Sequence, residues 1–307
     1  MSDRVGRSES DGDVSSVERV SSIDCRGQTI AWSTGPAIMG ILNLTPDSFS
    51  DGGAFAKKTN TAEEIVIDVD RAVKHAEQMV QDGAAIIDVG GQSTRPGFKE
   101  ISPAEEIVRV VPVIAALLSR IDRPISVDTY KPVVARAALL AGAHVLNDVY
   151  GLQGDPQIAA LAAEFAVPVV IMHQDPTFRN DPTDSIEKLL QFFDRSIEIG
   201  AAAGIPRERC ILDPGIGFLK THQQNLEIMG RLDELRVLGL PVLLGVSRKS
   251  SIGEVLDLPA DQRLEGTLAT TALAAWQGIE IIRVHDVAAN VRAAKMAAAL
   301  RAAVRSS

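Results

Sequence analysis

Residues 125–148, ISVDTYKPVVARAALLAGAHVLND, contain one complete unit of the pattern that decides the fold. A short apolar run ends at Asp128, a longer segment carries apolar residues at helical spacing, and a second apolar run leads to Asn147. Gly142 stands just before the second run, where a left-handed residue is suited to end a helix. The stretch therefore predicts a strand, a helix and a second strand.

The same alternation repeats along most of the chain. Apolar runs predict eight strands, over residues 38–43, 85–89, 125–128, 144–148, 168–172, 210–213, 241–246 and 280–284. Helix-start signals lie between them, namely Thr61 with Glu64, Ser102 with Pro103 and Glu105, and Asp155 with Pro156. Runs that are continuously apolar are typical of parallel strands buried on both faces. We therefore predict an α/β fold of the (β/α)8 TIM barrel type.

A doubly wound parallel sheet is the structural alternative. Against it, no Gly-x-Gly-x-x-Gly turn follows the first run, and the repeating units show no long break where the strand order would reverse. The first 27 residues are rich in Ser, Asp, Glu and Arg and poor in large apolar groups. We predict that residues 1–27 form a disordered tail and residues 28–307 form the barrel domain.

Composition excludes several classes of function. The 307 residues include 31 Lys and Arg against 40 Asp and Glu, a formal net charge of −9, so no overall basic field attracts nucleic acid or anionic lipid. No apolar run reaches the roughly 18 residues that a membrane helix needs. Cys25 and Cys210 are the two cysteines, too few for a disulfide framework. We expect a cytoplasmic protein that binds neither nucleic acid nor membrane.

Polar side chains follow each predicted strand. The residues in question are Asn43, Asp88, Asp128, Asn147, Asp148, His173, Asp213, Ser247, Arg248, Lys249, Arg283 and His285. In a parallel barrel they converge on one mouth, the face that holds the active site in this architecture. Strand ends also meet water, which explains any single polar residue. However, Asp128, Asn147 and Asp213 come directly out of buried runs, and each needs a fixed partner there.

The polar set divides by chemistry. Asp128, Asn147 and Asp213 offer acceptors and an amide, which suit a flat heterocycle that presents adjacent N–H donors. Lys249, Arg283 and His285, with Asn43, offer donors for phosphate oxygens or a ring carbonyl. We therefore expect a ligand with a heteroaromatic end and an anionic end. The small number of cations leaves room for a bound Mg²⁺.

Two long connections follow the first two strands. They are residues 43–53, NLTPDSFSDGG, and residues 90–97, GGQSTRPG. Gly-rich and Pro-containing loops that carry Phe49 and Arg95 at a catalytic mouth indicate lids that close on a substrate, with flexible surface turns as the alternative.

These motifs together resemble a known family. NLTPDSFSDGG, GGQSTRPG, SVDT, NDV, DPGIGF, SRK and RVHDV, in this order, are similar to the motifs of the dihydropteroate synthases, pterin-binding barrel enzymes of folate biosynthesis. The resemblance covers residues 38–287. It implies condensation of 6-hydroxymethyl-7,8-dihydropterin diphosphate with 4-aminobenzoate, which gives 7,8-dihydropteroate and diphosphate. It also implies a homodimer.

The resemblance also implies roles for individual residues. The pterin ring is held by Asp128, Asn147, Asp213 and Lys249, in a pocket lined by Met172 and Phe218. The diphosphate is held by Asn43, Arg283 and His285, with Mg²⁺ on the Asn43 side. The aminobenzoate site is shaped by Phe49, Thr94, Arg95, Pro96 and Ser247. Among these, the catalytic group comprises Asn43, Arg95, Lys249, Arg283 and His285.

The sequence departs from the family pattern at three places. Gln92 stands where the family usually has Glu, Leu219 stands where it usually has Gly, and residues 174–181, QDPTFRND, replace a Met-x-Gly-x-Pro stretch. Gln92 puts its role in orienting the second loop in question, and Leu219 adds a side chain beside the pocket. Three alternatives stay open: a methyltransferase of the same barrel class, a non-catalytic pterin-binding paralogue, and a barrel metal hydrolase.

Overall fold

The structure, a computed structural model, describes residues 21–45, 56–58, 65–93 and 100–305. Its strands are β1 Ser22–Cys25, β2 Gln28–Ala31, β3 Ala37–Asn43, β4 Ala56–Lys58, β5 Ile65–Ile67, β6 Ile86–Gly90, β7 Ile125–Asp128, β8 Val145–Asp148, β9 Val169–Met172, β10 Cys210–Asp213, β11 Leu243–Gly245 and β12 Ile281–Val284. Its α-helices are α1 Val69–Gln81, α2 Pro103–Leu117, α3 Pro132–Leu140, α4 Pro156–Glu164, α5 Ser185–Ala203, α6 His222–Gly230, α7 Ser250–Leu256, α8 Leu264–Gln277 and α9 Val287–Arg305. Short 3-10 helices cover Phe178–Asn180, Arg207–Arg209, Leu232–Leu238 and Ala260–Gln262.

Eight of the described strands form a parallel barrel. Their order is β10-β9-β8-β7-β6-β3-β12-β11, so each strand lies beside its neighbours in the βα series. A parallel bridge between Leu212 and Val242 joins the two ends of this order, and the Leu212 N–H donates to the Pro241 carbonyl at 2.9 Å. Because the sheet closes on itself, the predicted (β/α)8 barrel is confirmed and the doubly wound alternative is wrong.

The element boundaries agree closely with the sequence pattern. β7 and β10 span the residues predicted for them, and the strand predicted over residues 241–246 is shortened to Leu243–Gly245. Ser102 caps α2 and Asp155 caps α4 through their side chains, as predicted. Thr61 and Glu64 lie outside the described residues, and the following helix α1 is capped by Asp68.

An antiparallel hairpin closes the amino-terminal end of the barrel. β1 pairs with β2, and Ile23, Cys25 and Ile30 are buried against the first residues of the barrel strands, such as Met39. The tail predicted over residues 1–27 is therefore wrong for residues 22–27. The stretch SIDC alternates polar and apolar residues, so one face of β1 is apolar, and each buried aliphatic side chain contributes about 1.5–3 kcal/mol. Residues 1–20 lie outside the described residues.

The main apolar core lies between the barrel wall and the helices. It includes Leu139 of α3, Phe193 of α5 and Leu212 of β10, each fully buried. This packing leaves the carboxyl ends of the strands to carry polar groups. Among the described helices, none combines the length and the hydropathy that a membrane crossing requires.

Candidate active site

A polar cavity of about 310 Å³ lies at the carboxyl ends of the barrel strands. Seven of the residues to which the resemblance assigns a role line it, namely Asn43, Asp128, Phe218, Ser247, Lys249, Arg283 and His285. They come from strands or loops that are far apart along the chain, and the closed barrel brings them to one mouth.

Three further predicted residues lie at or near the ends of barrel strands but are not among the residues that line this cavity. Asn147, at the end of β8, places its amide 3.3 Å from a carboxylate oxygen of Asp88, and that carboxylate contacts Arg283 of the cavity wall. Asp213 ends β10 and Met172 ends β9, and both are buried. Phe49, Thr94, Arg95 and Pro96 lie outside the described residues.

Arg283 is the centre of the ionic network in the cavity. Its Nε donates to Asp88 Oδ2 at 2.7 Å and its Nη2 donates to Asp128 Oδ2 at 2.9 Å. Asp88 is fully buried and also accepts from Asn147. One guanidinium therefore bridges and orients two carboxylates from neighbouring strands. From the sequence, Asp88 could be placed at a strand end but not given a role, although a carboxylate inside the run IIDVG already indicates a buried partner.

Asp128 has one oxygen without a described partner. Its Oδ1 is buried and accepts no hydrogen bond within the described part of the chain. Burial raises the pKa of Asp128 to about 7, although the charge of Arg283 opposes that shift. A buried acceptor of this kind is costly unless a donor reaches it, so Oδ1 is an available position for a ligand N–H.

The charges of Asp213 and Lys249 each affect the pKa of the other residue. Burial raises the pKa of Asp213, and the charge of Lys249 opposes this. Burial lowers the pKa of Lys249 to about 8, and the charge of Asp213 opposes that in turn. The Lys249 Nζ donates to the Ile216 carbonyl at 2.5 Å and lies 4.6 Å from the centroid of the Phe218 ring. An aromatic face and a cation thus stand together on one wall.

The SRK turn, residues 247–249, is kept in a strained backbone conformation by side-chain contacts. Arg248 adopts φ 58°, an unfavourable value for a non-glycine residue. Its guanidinium pairs with both oxygens of Asp286, at 3.0 and 2.5 Å, and Arg263 donates to its carbonyl at 3.0 Å. These contacts outweigh the strain. On one side of the turn, Ser247 Oγ lies 3.0 Å from His285 Nδ1.

Gln92, just after β6, is hydrogen-bonded to the segment before α2 and to the segment after β7. Its Oε1 accepts from the Ile101 N–H at 3.0 Å and from the Lys131 Nζ at 2.7 Å. Its Nε2 donates to the Tyr130 hydroxyl at 3.0 Å. Lys131 Nζ also lies 2.9 Å from a Glu106 oxygen, in a pair buried on both sides. Gln92 therefore fixes the position of Ile101 without a charge of its own.

Replacement of Gln92 tests this anchor. Gln92→Leu is expected to lower the free energy of unfolding by about 1–3 kcal/mol, because the buried Lys131 ammonium and the half-buried Ile101 N–H both lose their acceptor. Gln92→Glu keeps that acceptor and adds a charge beside the Lys131 ammonium, while it loses the Nε2 hydrogen bond to the Tyr130 hydroxyl, which still donates to Glu100. Its change is therefore expected to stay within about 1 kcal/mol. Urea unfolding of both variants measures the difference. A leucine variant as stable as the parent contradicts the anchoring role.

Leu219 occupies a left-handed position beside the cavity. Its φ is 48° and its side chain is 44% exposed, so the side chain points to solvent and does not narrow the pocket. The conformation costs a leucine about 1–2 kcal/mol more than a glycine.

Replacement of Leu219 by glycine is expected to stabilise the protein. The relieved strain exceeds the additional chain entropy of glycine, so the free energy of unfolding rises by about 0.5–1 kcal/mol. Urea unfolding measures this change, with Val108→Gly, an exposed position inside α2, as a control that should be destabilised. A loss of stability in Leu219→Gly would mean that the leucine side chain makes a useful contact.

Fold and site together define a class of protein. A closed parallel α/β barrel with converging charged side chains at the carboxyl ends of its strands is an enzyme architecture. Comparison with known proteins defines the family. The family model described as pterin binding enzyme matches residues 39–285. A dihydropteroate synthase of Clostridium beijerinckii is 49% identical over 261 residues, which cover 84% of this chain and 92% of that protein.

Solved structures give the same result. The dihydropteroate synthase of Clostridium difficile in the presence of pteroic acid is 46% identical, with a TM-score of 0.80 over 88% of this chain and 98% of that one. The enzyme of Xanthomonas albilineans with 4-aminobenzoic acid is 40% identical, with a TM-score of 0.81 over 94% of this chain and 99% of that one. The chain belongs to the dihydropteroate synthase family of pterin-binding enzymes.

Proposed function

We propose that this chain condenses 6-hydroxymethyl-7,8-dihydropterin diphosphate with 4-aminobenzoate to give 7,8-dihydropteroate and diphosphate. The observation that carries the proposal is that one cavity combines a hydrogen-bond acceptor for a heterocycle with donors for a diphosphate. Asp128, whose Oδ1 has no partner among the described residues, lies on the acceptor side, whereas Lys249, Arg283 and His285 supply cationic or donor groups. Family membership and the relatives with pteroic acid and 4-aminobenzoic acid support the choice of substrates.

The pterin ring is assigned to the deep part of the cavity. Asp128 Oδ1 accepts a ring N–H, and Asn147 and Asp213 complete the recognition of the heterocycle edge. Lys249 donates to a ring acceptor, and its contact with Phe218 places an aromatic face beside the ring. Met172, buried at the end of β9, is assigned to the apolar floor.

The diphosphate is assigned to Asn43, Arg283 and His285. Asn43 lines the same cavity as the two donors and offers one amide oxygen. Within the described residues, no three His, Cys, Asp or Glu side chains converge on a metal position. Mg²⁺ is commonly held by one or two protein oxygens together with substrate phosphates and water, so Asn43 fits a Mg²⁺ that binds with the diphosphate. That ion would supply positive charge to the leaving oxygens.

The aminobenzoate site is assigned to the two loops and the SRK turn. Phe49, Thr94, Arg95 and Pro96 are placed there by sequence resemblance alone, together with Ser247. The Ser247 contact with His285 supports a shared border between the aminobenzoate and diphosphate sites.

The reaction needs alignment and charge stabilisation rather than a strong base. The bond from the exocyclic methylene carbon to the diphosphate oxygen breaks, and the arylamine nitrogen forms a bond to that carbon. The electron-rich pterin stabilises the cation-like carbon, while Arg283 and His285 donate to the diphosphate as its charge develops. The neutral arylamine is already nucleophilic, and it loses its proton to solvent after attack. The rigid barrel holds amine, carbon and leaving oxygen in line.

A product assay tests the proposal directly. The purified chain is incubated with the pterin diphosphate, 4-aminobenzoate and Mg²⁺, and dihydropteroate is followed by chromatography. Omission of 4-aminobenzoate gives the matched blank. Pterin binding without any product would support the non-catalytic paralogue, and methyl transfer from a reduced folate would support the methyltransferase. Neither alternative needs both Arg283 and His285 beside the Asp128 pocket.

We further propose that the chain is a homodimer in the cytoplasm. Leu273 and Trp276 of α8 and Met296 and Leu300 of α9 are exposed apolar side chains on two helices that pack together. A shared apolar surface of this kind supports self-association. Both cysteines are free and buried, which supports a reducing compartment. Sedimentation of the parent and of Trp276→Glu tests the dimer, and the variant should be monomeric.

A further inference from the structure

The loop after β10, residues 213–219, has a compact backbone with three left-handed positions, of which the one at Leu219 is strained. Gly215 and Gly217 adopt φ values of 62° and 85°, and Leu219 follows at 48°. Inside the loop, the Phe218 N–H donates to the Gly215 carbonyl at 3.1 Å, and the Gly215 N–H donates to Asp213 Oδ1 at 2.8 Å. A backbone with so many left-handed positions keeps its shape only when surrounding contacts hold it.

Lys220 supplies such contacts from behind the loop. Its side chain is buried, and its Nζ donates to the Gly215 carbonyl at 3.0 Å and to the Phe218 carbonyl at 3.2 Å. The same Nζ lies 2.8 Å from His173 Nδ1. Burial lowers the pKa of Lys220 to about 7, and the charge of Asp213 favours the ammonium form. The Nζ also lies 3.4 Å from the His173 carbonyl oxygen. The three N–H donors of an ammonium group suit the three shorter contacts.

His173 is the fixed point to which Lys220 attaches the loop. Burial, followed by the charge of Lys220, lowers the pKa of His173 to about 2, so the ring is neutral and Nδ1 accepts. The rings of Phe178 and Phe192 pack against it at centroid distances of 4.7 and 4.6 Å. The His173 N–H also donates to the Asp213 carbonyl at 2.8 Å. The segment after β9 is therefore bound to the end of β10 by a backbone hydrogen bond, and to the following loop by the side-chain contact with Lys220.

We propose that Lys220 is a positioning residue that holds Asp213 and Phe218 in the geometry needed for the pterin ring, an inference that rests on the proposed function. Lys220 is not part of the described cavity wall. Its contacts go to His173, Gly215 and Phe218, of which Phe218 lines the wall. A Cβ on Gly215 would lie 2.2 Å from the His173 carbonyl oxygen, so the loop already lies directly against β9. Loss of the ammonium group frees the loop at its two carbonyl contacts.

The test compares Lys220→Met with Lys220→Arg, and uses Lys295→Met, an exposed position on α9, as the matched control. In Lys220→Met, the dissociation constant for the pterin substrate without 4-aminobenzoate is expected to rise by about tenfold or more. The KM for 4-aminobenzoate should stay within about twofold, and the arginine variant should recover part of the pterin affinity. Amide hydrogen exchange at Gly217 and Phe218 should accelerate in the methionine variant.

If Lys220→Met fails to fold, a second pair of variants tests the same inference. His173→Asn keeps an acceptor near Nδ1, whereas His173→Leu removes it, so only the leucine variant should weaken pterin binding and accelerate exchange in the loop. Unchanged pterin affinity and unchanged exchange in Lys220→Met or His173→Leu overturn the inference. A parent chain that forms no dihydropteroate refutes the proposed function instead, and the exchange measurement still reports on the loop.

Discussion

Replacement of Arg283 by methionine is expected to cost both catalysis and stability. The guanidinium bridges Asp88 and Asp128 at 2.7 and 2.9 Å, and its removal leaves two carboxylates inside the barrel without their cation. Breaking a buried pair in this way lowers the free energy of unfolding by about 3–5 kcal/mol. The loss of a donor to the departing diphosphate lowers kcat by about 10²–10³. Urea unfolding and the product assay measure the two effects separately.

The double variant Arg283→Met with Asp88→Asn separates structure from chemistry. Because the amide removes the more deeply buried of the two negative charges, the double variant should recover roughly half of the lost stability. It should recover none of the lost kcat, because the diphosphate still lacks its donor. Recovery of activity together with stability would show that Arg283 acts only by neutralising Asp88.

The barrel could be predicted because each strand carries its own local signal. Residues 125–128 and 210–213 are short apolar runs that end in Asp, and the structure places strands at the same positions. The hairpin at residues 22–31 was not predicted, because its two strands are only four residues each. In so short a strand, two apolar positions carry the pattern, and burial against the barrel end decides the structure.

The site could be predicted as a set of residues but not as a network. A parallel barrel implies that residues at strand ends meet, and this brought Asp128, Lys249 and Arg283 to one cavity. The partners within the set depend on side-chain length and register, which no local pattern carries. Asp88 thus emerged as a ligand of Arg283 only from the geometry. The Lys220 contacts with His173 join residues 47 positions apart and left no sequence signal of their own.

Replacement of Asp128 by asparagine is expected to weaken pterin binding and to remove its pH dependence near neutrality. Burial raises the pKa of Asp128 to about 7, so the carboxylate is ionised above this pH and protonated below it. A ring N–H needs the ionised acceptor, so the affinity of the parent should fall about tenfold for each pH unit below 7 and level off above it. At pH 8, the asparagine variant should bind about 10–150-fold more weakly, the value of a hydrogen bond to a charged group.

Calorimetric titration of the pterin substrate between pH 5.5 and 8.5 measures both effects. The profile also contains other groups that face the ring: burial raises the pKa of Asp213, and it lowers the pKa of Lys249 to about 8. The asparagine variant isolates Asp128, because it keeps these two contributions and loses only the step near pH 7. Asp213→Asn is the matched control, since it removes a carboxylate from the same pocket but should retain that step. If the step persists in Asp128→Asn, another group controls pterin binding, and the assignment of Asp128 Oδ1 as the ring acceptor is wrong.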